Sequence, residues 1–164
     1  EALWAGINQG LVQVVATDHC PFTWEKKLLG KDDFSKIPNG HPAIEHRVEL
    51  LYSEGVRKGR ITANKFVEVL ATNPAKIFGM FPQKGCIAPG SDADIVLFDP
   101  NHEHTIRAAA HHMNTDYSAY EGWKLTGKTK TVLLRGQVVI DDGKCLVEKG
   151  NGKYIKRNKV SQLI

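Results

Sequence analysis

The chain has 164 residues, a length typical of about one domain, and its 41% hydrophobic and 24% charged residues are ordinary for a globular protein. No apolar run approaches the ~18 residues needed to span a bilayer, and the first residues lack the pattern of a signal peptide, which argues against a membrane protein. The net charge of +4 is modest, and the lysine-rich end carries only Tyr154 as a stacking aromatic, which argues against nucleic-acid binding.

The first predicted elements are a helix and a strand. Residues 1–9 have apolar side chains on one helical face, and Gly10 closes that helix. Residues 11–17 form a nearly continuous apolar and β-branched run, which predicts a strand buried on both faces, as in a parallel sheet. Pro21 ends this run, and residues 22–43 have the composition of a loop.

Three helices are predicted next. Apolar residues recur at helical spacing over residues 44–59, and Gly55 and Gly59 mark the end of that helix. Thr62 is placed to cap a second helix. Asn73, which a proline follows, is predicted to be the N-cap of the third.

The pattern changes to strands after about residue 84. The predicted strands cover residues 94–98, 129–135 and 137–140, with turns at Arg135-Gly136 and Asp142-Gly143. A buried strand flanked by helices is one unit of a parallel α/β fold, and the later strands would form a separate β layer. Each half looks incomplete, and Glu1 stands where an initiator Met would be, so we expect the sequence to begin inside a longer chain.

Asp18 is the first candidate for chemistry, because it follows the predicted strand directly. In barrels of alternating strands and helices, functional groups lie at that end of the strands. A carboxylate there can ligate a divalent metal or act as a general base, and it can equally cap the start of a loop. His19 is expected to point away from Asp18, because adjacent residues of an extended chain face opposite sides.

Several motifs resemble a known family. The segment Thr-Asp-His-Cys-Pro at residues 17–21 resembles the Thr/Ser-Asp-His-x-Pro segment of cyclic amidohydrolases, and residues 73–79 and 85–100 resemble further segments of that superfamily. Residues 30–40 and 114–128 narrow the resemblance to dihydropyrimidinases and D-hydantoinases. These motifs together extend over almost the whole chain.

The resemblance implies a fold and its divisions. Residues 1–84 would be the C-terminal portion of a TIM-like (β/α)8 metal-dependent hydrolase barrel, with its last strand and helices. Residues 85–140 would be strands of a β-sandwich, and residues 141–164 a tail that contacts a neighbouring subunit of a dimer or tetramer. Three widely spaced cysteines fit no zinc or disulfide pattern, which favours a cytoplasmic location.

The resemblance also implies an activity and two site residues. The family opens 5,6-dihydropyrimidine or 5-substituted hydantoin rings to N-carbamoyl amino acids, using two divalent metal ions that are usually zinc. Asp18 matches the aspartate that ligates one metal, takes a proton during attack and passes it to the leaving nitrogen. Asn39 matches the asparagine whose main chain binds the cyclic amide, although a Pro-Asn-Gly turn also favours such a residue sterically.

The other metal ligands of the family have no match in this chain. No His-x-His pair precedes Asp18, and His102-Glu103-His104 lies on the wrong side of it. We therefore predict that this chain alone is inactive and does not bind two metal ions. His102, His104, His111 and His112 are predicted to be solvated or structural. Ala43, where the family usually has Gly, is expected to change the loop little.

Two alternative functions remain. An allantoinase or a dihydroorotase would share the superfamily motifs, but residues 30–40 and 114–128 disfavour both enzymes. A non-catalytic scaffold resembling the collapsin-response mediator proteins would keep the fold and lose metal ligands. The Asp18-His19 pair argues against a scaffold of that kind.

Overall fold

The computed structural model describes residues 1–160, with helices in the first half of the chain and one sheet in the second. The α-helices are α1 (Ala2–Asn8), α2 (Trp24–Leu28), α3 (Arg47–Leu51), α4 (Ala63–Val67) and α5 (Asn73–Ile77). The strands are β1 (Ile95–Thr105), β2 (Lys124–Leu134), β3 (Gln137–Asp141) and β4 (Lys144–Cys145). The predicted first helix is confirmed, whereas α2 lies inside the region predicted to be a loop.

Residues 11–17, which were predicted to be a strand, form no strand with any part of the described chain. The segment is irregular, and Leu11 is 78% exposed. Its backbone N–H groups bond to helical segments: those of Leu11 and Val12 donate to the Gly6 carbonyl at 2.9 and 3.0 Å, and that of Val15 donates to the Val69 carbonyl at 3.3 Å. An apolar β-branched run adopts a strand only where a neighbouring strand accepts its ladder of hydrogen bonds. Among residues 1–160, no strand lies beside this segment.

The 44–59 prediction is confirmed as one helical segment, with a correction to its end. A 3-10 turn (Ile44–His46) leads into α3, and a π-helical turn (Tyr52–Val56) extends it. Gly55 lies inside this segment and not at its end, whereas Gly59, with φ of +68°, follows it.

The next helices are continuous. The predicted cap at Thr62 is confirmed, because its side chain accepts a hydrogen bond from the Lys65 N–H at 3.1 Å. Asn73 is not an N-cap, since its backbone is helical and its side-chain amide donates to the Gln13 carbonyl at 2.9 Å. A π-helical turn at Glu68–Thr72 precedes α5, and Pro74 lies in the first turn of α5. A helix accommodates proline, which has no N–H to donate, more easily in its first turn than in its interior.

The four strands form an antiparallel sheet in the order β1-β2-β3-β4. The predicted turns are confirmed: Arg135-Gly136 joins β2 to β3 and Asp142-Gly143 joins β3 to β4, all four residues having positive φ. Such turns match the right-handed twist of the strands on either side. The observed β1 and β2 are longer than the predicted strands, because the pairing of Glu103 with Thr126 carries the ladder beyond a bulge.

The hydrophobic core lies among the helices, and an aromatic cluster joins it to the sheet. The buried core residues are Ile7, Leu51, Ile61 and Val69. The Tyr52 ring lies 4.7 Å from the Phe98 ring and 5.8 Å from the Phe66 ring, measured between centroids. This cluster packs the π-helical extension of α3 against β1.

The end of the chain lies along the protein's own surface. The Arg135 guanidinium donates to the Asn151 carbonyl at 2.7 Å, and the Asn158 N–H donates to the Gly79 carbonyl at 2.8 Å. The subunit contact predicted for residues 141–164 stays a prediction, and residues 161–164 lie outside the described chain. In the described part, no helix is long and apolar enough to cross a membrane.

Candidate active site

Asp18 lies exposed at the end of the irregular segment, with a φ of +48°. A non-glycine residue rarely adopts this left-handed conformation, although Asp and Asn tolerate it better than most. Within residues 1–160, no group donates a hydrogen bond to the Asp18 carboxylate. The backbone therefore presents an unpaired carboxylate to the surface, which suits a ligand or proton-transfer role.

His19 ties the Asp18 segment to a second loop. Its Nδ1 accepts from the backbone N–H groups of Ala43 at 3.2 Å and Ile44 at 3.4 Å. Because both partners are donors, this nitrogen carries no proton and the proton of the neutral ring is on Nε2. The His19 side chain thus faces the start of the 44–56 helical segment, where its Nδ1 binds backbone groups.

The two predicted site residues lie on neighbouring segments. His19 and His41 form a parallel bridge, and the Cys20 N–H donates to the His41 carbonyl at 3.3 Å. Gly40 has a φ of +108°, and a Cβ on it would lie 2.4 Å from the Cβ of Cys20. Only glycine permits this approach, which brings the loop with Asn39 against the residues that follow Asp18.

Asn39 is exposed, and the carbonyls on either side of it are bound. Lys27, in the last turn of α2, donates from its ammonium to the Pro38 carbonyl and, at 2.5 Å, to the Gly40 carbonyl. No local signal in the sequence pointed to Lys27, since a lysine in a polar loop resembles any solvated lysine. The contact depends on the turn of chain between α2 and residue 38.

Ala43 has a φ of −150°, and its side chain is 3% exposed. The position therefore does not need the positive φ that favours glycine. The small effect of an alanine on the loop stays a prediction.

The described residues do not complete a metal centre. Across residues 1–160, no three His, Cys, Asp or Glu side chains converge in a way that could hold a metal ion. Asp18 is a single carboxylate, and a divalent transition-metal site normally needs three or four protein ligands. These residues therefore do not fit a two-metal centre unless further ligands are supplied from elsewhere.

Three of the four later histidines bind protein groups, in agreement with the structural role predicted for them. His104 Nε2 lies 2.9 Å from a Glu49 carboxylate oxygen, and His111 Nε2 lies 2.9 Å from the Thr115 carbonyl. His112 interacts through its Nδ1 with Glu45 at 2.8 Å. With His46, these side chains line a cavity of about 690 Å³ between α3, β1 and the loop after β1.

Glu45 connects the helix start to the loop after β1. Its carboxylate accepts from the His112 N–H at 2.6 Å and the Met113 N–H at 3.3 Å. Burial alone would raise the pKa of Glu45, but the bonds from the His112 ring and backbone outweigh it and hold that pKa below its usual range. The carboxylate stays charged and anchors the loop.

The residues of the 114–128 stretch pack against α2. The Asp116 carboxylate accepts from the Trp24 N–H at 2.8 Å, and the Trp24 and Tyr117 rings are edge-on with centroids 5.5 Å apart. Tyr120 and Trp123 form a second edge-on pair at 5.5 Å. The two stretches on which the narrower resemblance depended, 30–40 and 114–128, thus meet around the short helix that carries Lys27.

Comparison with known proteins agrees with these motifs. The model of the amidohydrolase family matches residues 1–139. The D-hydantoinases of Geobacillus stearothermophilus and Ralstonia pickettii are 49% and 50% identical over 165 and 163 residues, covering 100% and 99% of this chain and 35% of each relative. The crystal structure of dihydropyrimidinase from Brevibacillus agri matches with a TM-score of 0.96 at 50% identity, covering 99% of this chain and 35% of that one. This chain spans about a third of the length of these relatives.

Proposed function

The chain belongs to the amidohydrolase family, and we propose that the whole protein containing it hydrolyses the C–N bond of a cyclic amide. The substrates would be 5,6-dihydropyrimidines or 5-substituted hydantoins, and the products N-carbamoyl amino acids. One observation carries the proposal: about half of the residues along the entire chain are identical to D-hydantoinases and to a dihydropyrimidinase. Nothing in these comparisons favours an allantoinase, a dihydroorotase or a non-catalytic scaffold.

The proposed architecture follows the division of the chain. Residues 1–84, which contain all the described α-helices, would complete a (β/α)8 barrel, with residues 11–17 as its last strand. The strands within residues 85–140 would belong to a β-sandwich. Residues 141–164 would contact another subunit of a cytoplasmic dimer or tetramer. Among residues 1–160, no strand lies beside residues 11–17, which supports this arrangement because a neighbouring barrel strand would complete their backbone hydrogen bonds.

Asp18 would bind one metal ion and transfer a proton during hydrolysis. In the whole enzyme, two divalent metal ions, which we propose to be zinc, would supply a nucleophile at neutral pH by lowering the pKa of bound water. Asp18 Oδ would accept the proton released when the oxygen forms its bond to the ring carbonyl carbon. The same oxygen would return that proton to the ring nitrogen as the C–N bond breaks. The unpaired carboxylate and its left-handed backbone support this role.

Asn39 would hold the substrate through its main chain. A cyclic imide or ureide presents alternating N–H and C=O groups, and a peptide unit offers the complementary pair. Among the described residues, neither the N–H nor the carbonyl of Asn39 has a hydrogen-bond partner. These groups are free to bind a ring that enters next to Asp18.

The test is ring opening by the whole enzyme loaded with zinc and by its Asp18→Asn variant. Asparagine tolerates the left-handed backbone but cannot accept the proton, so we expect turnover to fall by about a thousandfold or more with an unchanged unfolding temperature. Asp32→Asn, at an exposed aspartate of the neighbouring loop, is the matched control and should keep wild-type turnover.

Two results would contradict these assignments separately. A whole enzyme that opens neither dihydrouracil nor a hydantoin would disprove the proposed activity. An Asp18→Asn variant with near wild-type turnover would disprove the proton-transfer role while leaving the activity intact.

A further inference from the structure

Lys27 binds both carbonyls that flank Asn39. Its ammonium donates to the Pro38 carbonyl and to the Gly40 carbonyl, the second at 2.5 Å, across 11 and 13 residues of chain. Hydrogen bonds from a charged donor are stronger than neutral ones and fix the acceptor more firmly. The peptide unit before Asn39 and the one after Gly40 are therefore held by one side chain. The N–H and C=O of Asn39 itself have no hydrogen-bond partner among the described residues.

The position of Lys27 is itself fixed from several sides. The Asp116 carboxylate binds the first N–H of α2, and its acidic charge suits a helix N-terminus. Beyond the other end of α2, a Cβ on Gly30 would lie 2.0 Å from Ile37 Cγ1, so only glycine lets the helix lie this close to the loop. The Lys27 ammonium also lies 5.4 Å from the Phe22 ring centroid.

The charge of Lys27 is directed to these carbonyls. In residues 1–160, none of the ion pairs includes Lys27, and the side chain is partly buried. Its neighbour Lys26 is exposed and makes only a 6.0 Å approach to the same Phe22 ring. Of these two adjacent lysines in one short helix, Lys27 contacts the loop of Asn39 and Lys26 makes no hydrogen bond or ion pair with it in the described chain.

We propose that Lys27 is a positioning residue for substrate binding: it holds the loop so that the main-chain N–H and C=O of Asn39 face the cyclic amide. This inference rests on the proposed function and adds to it a side chain that does not touch the substrate. Without Lys27 the loop would populate other conformations, and substrate would bind only the fraction that keeps the competent one. The apparent affinity falls by that fraction, whereas the bound complex reacts as before.

The experiment compares Lys27→Met, Lys27→Arg and the matched control Lys26→Met in the whole enzyme. Methionine keeps the length of the side chain and removes the donors, so we expect KM to rise about tenfold while kcat stays within about twofold. Arginine keeps the donors and should recover most of the wild-type KM. Lys26→Met should leave both constants unchanged.

A second measurement does not depend on activity. Backbone amide hydrogen exchange over residues 36–43 should become faster in Lys27→Met than in Lys26→Met, with equal unfolding temperatures for the two variants. The inference is overturned if Lys27→Met matches Lys26→Met in KM and in exchange, or if kcat falls as much as KM rises. If the wild-type enzyme opens no ring, the proposed function fails, and the exchange of residues 36–43 alone then decides the role of Lys27.

Discussion

At the scale of single residues, the site depends on groups that bind backbone. His19 Nδ1 accepts from two N–H groups at the start of the 44–56 helical segment, and Lys27 binds two carbonyls beside Asn39. Each side chain joins segments more than ten residues apart. Asp18 differs from both, because its carboxylate has no such partner in the described chain and remains available for chemistry.

His46 is expected to make the stability of the folded protein depend on pH. It is 6% exposed, and burial lowers its pKa below the ordinary value, with the charge of Glu45 opposing that shift. Glu49, His104 and His111 are the other titratable groups around it. Since the folded-state pKa lies below the unfolded one, the folded protein binds fewer protons. The contribution of His46 is complete above about pH 6.5 and is lost as pH falls through the folded pKa.

We therefore expect the unfolding temperature of the whole protein to fall between about pH 7 and pH 5, more steeply in wild type than in His46→Asn. Thermal unfolding at a series of pH values measures the two slopes. Equal slopes, or a wild-type protein that gains stability on acidification, would contradict this prediction.

At the scale of elements, one face of α3 and its extension carries polar side chains to the sheet. Glu45, Glu49 and Ser53 are spaced four residues apart, so they lie on the same helical face. Glu45 binds the loop after β1, Glu49 binds His104 on β1 and the Thr129 N–H on β2, and Ser53 accepts from the Thr126 N–H at 3.1 Å. This row orients the helix whose start meets His19.

Substitution of Glu49 tests how much these contacts between helix and sheet stabilise the protein. Glu49→Gln keeps an acceptor for the Thr129 N–H but loses the charged partner of His104, and the site is mostly buried. We expect a loss of about 1–3 kcal/mol in the free energy of unfolding, measured by denaturant unfolding of the whole protein. Glu54→Gln removes more exposed ion pairs with Lys58 and Arg60 from the same helical segment, and should cost less than about 1 kcal/mol. A Glu49→Gln variant no less stable than Glu54→Gln would contradict the prediction.

At the scale of the whole molecule, we propose that the chain would supply only part of the two-metal site. Residues 1–160 contain no group of three metal-ligating side chains, and Asp18 is the single ligand assigned. We predict that the 164-residue chain alone opens no cyclic amide and retains fewer than two zinc ions after dialysis, because the remaining ligands are missing. Metal analysis and a ring-opening assay check this result, with the whole enzyme as the control. Two tightly bound zinc ions per chain would disprove it.

The sequence by itself determined what depends on neighbouring residues. Thr62 caps its helix, and Arg135-Gly136 and Asp142-Gly143 turn the hairpins, because a cap or a two-residue turn is decided by side chains within a few positions. The motifs around Asp18 and Asn39 indicated the family for a similar reason, since they are contiguous in the chain.

Only the tertiary structure decided the contacts between distant segments. The sequence could not reveal that Lys27 binds the carbonyls beside Asn39, that Asp116 holds α2, or that Asn73 binds Gln13 in place of capping a helix. It predicted a strand at residues 11–17 because apolar β-branched residues favour one, but a strand also requires a partner that propensity does not supply. Such contacts depend on which chain segments meet in space, and a local sequence pattern does not determine that.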